Sequence, residues 1–85
     1  MNVLAVSTIT DTDGYWSSLK KAHATLPKGT RWLLAVASTD GTRAVNVLVH
    51  DSVDGTRDLF ERYAGEFAST EYYEADAANA VGLPR

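Results

Sequence analysis

Three side chains in this 85-residue chain have the types and placement to carry out chemistry: His50, Arg31 and Asn46. A neutral imidazole takes up or releases a proton near pH 7. With Arg31 directly across a strand ladder from it, His50 would act as acid and base while the guanidinium stabilised an enolate or carboxylate. Asp51 follows His50, but adjacent strand residues point to opposite faces, which places it badly for orienting the ring. The competing reading is that His50 ends its strand and caps the helix that follows. Asn46 lies mid-strand among alanines. Its amide could orient a ligand carbonyl or hydroxyl, or pair with its symmetry mate across a dimer interface, since a buried polar group needs a partner.

Trp32, His23 and Tyr73 are candidate walls of a ligand site. His23 falls on the apolar stripe of a helix, where a histidine is ordinarily a satisfied core or boundary residue, and it matters chemically only if a cleft opens between helix and sheet. Tyr72 and Tyr73 point to opposite faces of one strand, so one can line a cavity while the other packs. Glu66, Glu71, Glu74 and Asp76 read as a solvated acidic rim. No HExxH or HxxE spacing is present and there is no cysteine, so neither a metal site nor a disulfide is expected.

The elements that must position these groups follow from periodicity and turn chemistry. Val3 to Ile9 is a short, almost wholly apolar run, suited to a central strand. Thr10-Asp11-Thr12-Asp13 offers N-caps for a helix running to about Thr25, its buried stripe formed by Tyr15, Leu19, Ala22, His23 and Leu26. Arg31 to Thr39 and Thr42 to His50 are two strands joined by Asp40-Gly41, the signature of a tight type I′ hairpin. A second helix follows, capped by Asp51 or Ser52, with Val53, Leu59, Phe60 and Tyr63 facing inward. Ser69 to Asp76 is a fourth strand, and Ala77 to Val81 a short tail helix stopped by Gly82. The order β-α-β-β-α-β is the ferredoxin-like, α+β pattern: four antiparallel strands with both helices on one face. One domain over residues 1–85 is expected.

The hairpin register then assigns residues to faces. Val36 opposes Val45, Leu34 opposes Val47 and Trp32 opposes Val49, a bulky set expected under the helices. Ala37 with Ala44, Ala35 with Asn46, Leu33 with Leu48 and Arg31 with His50 make up the open face, which is expected to meet another sheet.

Size and charge narrow the function classes. A chain of 9.2 kDa has a marginal core, and without disulfides or metal its expected support is a second copy. Eight basic against eleven acidic residues give a net charge of −3 with no basic run, which argues against nucleic acid and anionic membranes. No apolar run approaches a membrane span, and the N-terminus lacks a signal-like pattern, so a cytoplasmic protein is expected. Phosphate-binding glycine motifs are missing. The third strand, Thr42 to His50, offers no aromatic residue for stacking RNA bases. The first loop, Thr10 to Gly14, is acidic and would repel phosphate.

The element order, the small size, the open sheet and the passage Val49-His50-Asp51-Ser52-Val53 into the second helix resemble the dimeric α+β barrel superfamily. Antibiotic biosynthesis monooxygenases and muconolactone isomerase belong to that group. The resemblance implies two ferredoxin-like sheets packed face to face, with a cleft between sheet and helices in each subunit. Some monooxygenases of the group use Asn, Trp and His side chains without metal or flavin. The nearest residue types here are Asn46, Trp32 and His50, although the register sets Trp32 on the face opposite the other two. The expectation is a homodimeric, cofactor-free enzyme of monooxygenase, isomerase or cyclase type acting on an apolar or aromatic metabolite. The alternative is a non-catalytic ligand-binding or protein-interaction module.

Overall fold

Small residues on one side of the sheet set how closely the helices approach it. A computed structural model describes residues 1–79, in the order β1 (Asn2–Ile9), α1 (Thr12–Ala24), β2 (Arg31–Ala37), β3 (Arg43–Val49), α2 (Val53–Ala64), β4 (Ala68–Ala75) and a 3₁₀ turn at Ala77–Asn79. The four strands form one antiparallel sheet ordered β2-β3-β1-β4, a βαββαβ arrangement compatible with ferredoxin-like topology. Of the expected tail helix, the described part is that single 3₁₀ turn; the remainder lies outside the described residues.

Both helices begin on side-chain caps. Asp11 accepts from the Gly14 N–H at 3.1 Å to start α1, and Ser52 accepts from the Gly55 N–H at 2.9 Å to start α2. Of the two candidate caps for α2, Ser52 is therefore the one used. Both glycines are required by close approach. A Cβ on Gly14 would meet the Phe67 ring at 2.6 Å, and one on Gly55 would run into the His50 imidazole.

The core joins Tyr15, Leu19 and Ala22 of α1 with Leu59, Phe60 and Ala64 of α2, all against one sheet face. That face carries Ala5 and Ser7 of β1 and Ala44, Asn46 and Leu48 of β3, each at most 1% exposed. Alanine, serine and asparagine leave room for the large helix side chains, so volume is conserved by pairing small with large. Burying Tyr15 and Phe60 alone removes about 300–500 Å² from water, worth about 8–12 kcal/mol before ordering costs.

The hairpin register is as the sequence indicates, with Val36 on Val45, Leu34 on Val47, Ala35 on Asn46 and Ala37 on Ala44. The turn differs. Gly41 has positive φ (76°), but Asp40 does not, so the loop is not type I′. Instead the Gly41 N–H reaches the Ser38 carbonyl at 3.0 Å, and the Ser38 N–H closes the hairpin on the Arg43 carbonyl at 2.9 Å. The Asp40 carboxylate accepts from the Thr42 N–H and from the Ser38 and Thr42 hydroxyls, which fixes the loop from within.

The expected assignment of faces is inverted. The alanine and asparagine set lies under the helices, and the bulky aliphatic set forms the open face. A bulge between Trp32 and Leu34 accounts for a second correction: Trp32 pairs with Leu48 instead of Val49, and Arg31 with Val49 instead of His50. Leu33 is the extra residue, and it turns Trp32 to the helix side, onto the same face as Asn46.

On the open side the registers align residues in rows across all four strands. Leu34, Val47, Leu4 and Tyr73 form one row; Val36, Val45, Val6 and Glu71 form the next; Arg31, Val49, Asn2 and Ala75 form a third. Leu34, Val36 and Tyr73 are 45–50% exposed.

Candidate functional site: a tryptophan-lined cleft

The edge strand β2 and the outer flank of α1 do not close on each other, and a cleft of about 350 Å³ opens between them. Trp16, Leu19, Lys20 and His23 line it from α1; positions 16, 19, 20 and 23 fall on one side of a helix. Trp32 to Ala35, including the bulged Leu33, line it from β2. The chain has two tryptophans, and both face this cleft.

Trp32 is held firmly. Its indole N–H donates to Asn46 Oδ1 at 3.1 Å, and its ring packs 5.3 Å from that of Phe60 and 6.1 Å from that of His23. Asn46 in turn donates through Nδ2 to the Tyr15 hydroxyl at 3.0 Å, and Tyr15 donates to Ser7 Oγ at 2.9 Å. Ser7 shares a hydrogen bond of 2.8 Å with Thr70 Oγ1. Five side chains thus form one hydrogen-bonded chain beneath the helices, from β4 to the cleft. Burial pushes the Tyr15 phenol above its ordinary pKa, and the Ser7 and Asn46 hydrogen bonds pull it part of the way back. Among the described residues no buried side-chain polar atom lacks a partner.

The six residues singled out from the sequence divide between three places. Trp32, Asn46 and His23 come together at the cleft. Asn46 is fully buried with both amide atoms engaged, so it positions Trp32 instead of touching a ligand. The expected separation of Trp32 from Asn46 is therefore corrected by the bulge. His23 is exposed instead of core, and it faces the cleft, the circumstance in which it becomes chemically relevant.

His50 sits elsewhere. Its Nδ1 accepts from the Ser52 N–H at 3.3 Å, and its ring lies over Gly55 at the start of α2. Its backbone exchanges hydrogen bonds with Met1, the carbonyl accepting from the terminal ammonium and the N–H donating to the Met1 carbonyl, both at 2.9 Å. His50 thus follows directly on β3 and braces the cap residue Ser52, but it does not itself cap α2. Arg31 is exposed on the open face, away from His50. Tyr73 is also on the open face, donating to Glu71, and that bond together with the Glu71 charge raises its pKa.

Sequence reasoning passed over Trp16 and Lys20. Their spacing with His23 was the available signal, but the stripe through Tyr15, Leu19 and Ala22 drew His23 into the core instead. Among the described residues no group of three potential metal ligands occurs, and no helix is long and apolar enough to cross a membrane. In comparisons with family models, curated proteins and solved structures, the chain matches none.

Proposed function

We propose that this chain is a small-molecule-binding domain whose cleft between α1 and β2 takes an apolar or aromatic metabolite, working as a homodimer. The observation carrying the proposal is the cleft itself: two indoles line it, and one of them is fixed in place by a buried amide. Pre-positioned aromatic walls bind planar ligands at low entropic cost, and about 350 Å³ falls in the range of small-ligand sites. A catalytic reading of the same cleft, as monooxygenase, isomerase or cyclase, rests on His23, the one imidazole among its lining side chains.

The dimer is favoured by the open face. Leu34 and Val36 lie on one edge strand, with Tyr73 on the other edge in the same row as Leu34. A two-fold axis parallel to the strands superimposes opposite edges, setting each Tyr73 over the other copy's Leu34. Four strands of about seven residues give a footprint of about 450 Å² per copy, or about 900 Å² for a facing pair. That is near the lower bound of about 1,000 Å² for specific interfaces, so association should be reversible.

The binding reading is tested by titrating the protein with N-phenyl-1-naphthylamine while following the two indole N–H cross-peaks in a ¹⁵N correlation spectrum. Both peaks should shift saturably, and Ala35→Phe, which fills the cleft from β2, should weaken binding at least tenfold. Shifts confined to Val6, Val45 and their neighbours, with both indoles still, would place the ligand on the open face and contradict the reading.

A further inference from the structure

We infer that the ligand is an aromatic acid: its ring lies between the indoles and its anionic group is received by Lys20, with His23 beside it. The inference rests on the cleft being the binding site and specifies what the site selects. The charge distribution carries it. The chain as a whole is acidic, with net charge −3, yet no carboxylate lines the cleft, and its ionisable lining side chains are Lys20 and His23. These two are three residues apart on α1 and so share a side of the helix, on the same wall as Trp16. The walls below them are apolar: Trp16, Leu19, Trp32 and Leu33. An occupant therefore meets hydrocarbon and π-faces along its body, and the Lys20 ammonium with the His23 imidazole beside it at one end. A ring bearing a carboxylate, sulfonate or enolate satisfies both, whereas a cationic amine would be repelled.

Compensation of the helix dipole accounts for His23 but not for Lys20. Lys21 and His23 occupy the last turn of α1, where basic side chains offset the negative end of the helix, yet Lys21 does not line the cleft. Lys20 lies before that turn and on the cleft side. The Trp32 indole N–H is committed to Asn46 and does not serve the anion. Recognition of the charge is left to α1.

Two probes that differ by one sulfonate test the inference: 1-anilinonaphthalene-8-sulfonate and its neutral counterpart N-phenyl-1-naphthylamine. Each is titrated into wild type, Lys20→Gln and Lys21→Gln, with the indole cross-peaks reporting cleft occupancy. The sulfonate should bind wild type about five- to tenfold more tightly than the neutral probe, a gap that shrinks at 0.5 M salt. Lys20→Gln should abolish that preference, and Lys21→Gln should retain it. If both probes shift the indoles with equal affinity, or if Lys20→Gln and Lys21→Gln weaken sulfonate binding alike, anion selection at Lys20 is refuted while the cleft stands as the site. If neither probe shifts either indole, the cleft and the inference fall together.

Discussion

The two faces of this sheet differ in where their small residues fall. Beneath the helices lie Ala5, Ser7, Ala44 and Asn46, small or polar and fully enclosed. On the other side lie Leu4, Val6, Val36, Val45 and Val49, β-branched or large and partly uncovered, around a buried Val47. The difference teaches where shape is specified. On the helix side the volume comes from Tyr15 and Phe60 of the helices and from Trp32, Leu48 and Val3 of the strands, and the small strand residues between them make room. Each polar atom among them is answered, because an unanswered one in that environment is costly. On the open side nothing in the described structure supplies a complementary surface. Its regular rows are suited to a flat partner of the same kind.

The contrast can be broken most strongly at Asn46. Replacing it with alanine leaves the Trp32 indole N–H without an acceptor, removes a donor to Tyr15 and opens a small void. Urea unfolding should show a loss of about 2–4 kcal/mol. Trp32 should also lose its fixed orientation, seen as broadening of its indole cross-peak with Trp16 unchanged. A loss under about 0.5 kcal/mol would mean that the buried polar chain does not hold the wall of the cleft.

The smallest expected effect lies in the hairpin loop, which serves both faces through the register it maintains. Hydrogen bonds from the Thr42 N–H, then from the Ser38 and Thr42 hydroxyls, lower the Asp40 pKa to about 2. The folded value lies below the unfolded one, so the ionised carboxylate stabilises the fold fully above about pH 4. That contribution is lost as pH falls toward 2. Asp40→Asn keeps an acceptor but removes the titration, so its stability should vary less with pH over that interval. An unchanged slope would mean that Asp40 plays no part in the acid response.

How much of this the sequence revealed depended on whether a signal was local. Element order, the short runs that hold both caps and the hairpin register from Ala37 back to Leu34 follow from neighbouring residues: Asp11 within Thr10 to Asp13, Ser52 beside Asp51, and Gly41 at the one position with positive φ in the loop. Face assignment is not local. The strands read the same whichever side the helices choose, and the deciding factor, the match of small strand residues to large helix residues, involves positions far apart in the chain. The bulge at Leu33 likewise leaves no glycine or other mark in Arg31-Trp32-Leu33-Leu34, yet it decides whether Trp32 meets Asn46. The candidate site was therefore half legible. Trp32, Asn46 and His23 were named for their types, but their assembly depended on a bulge that no local pattern announces. His50 and Arg31, paired across a ladder on paper, were separated by the same one-residue shift.

The most direct test of the contrast between faces is sedimentation equilibrium of wild type beside Val45→Lys. Val45 is central on the open face, and lysine there places a charge in the row shared with Val36 and Val6. Wild type should move reversibly from the 9.2 kDa chain mass toward twice that value as concentration rises. Val45→Lys should stay at the chain mass with its circular dichroism intact. A wild type that remains monomeric at every concentration would contradict a self-complementary open face, and so would a Val45→Lys variant that dimerises as well as wild type.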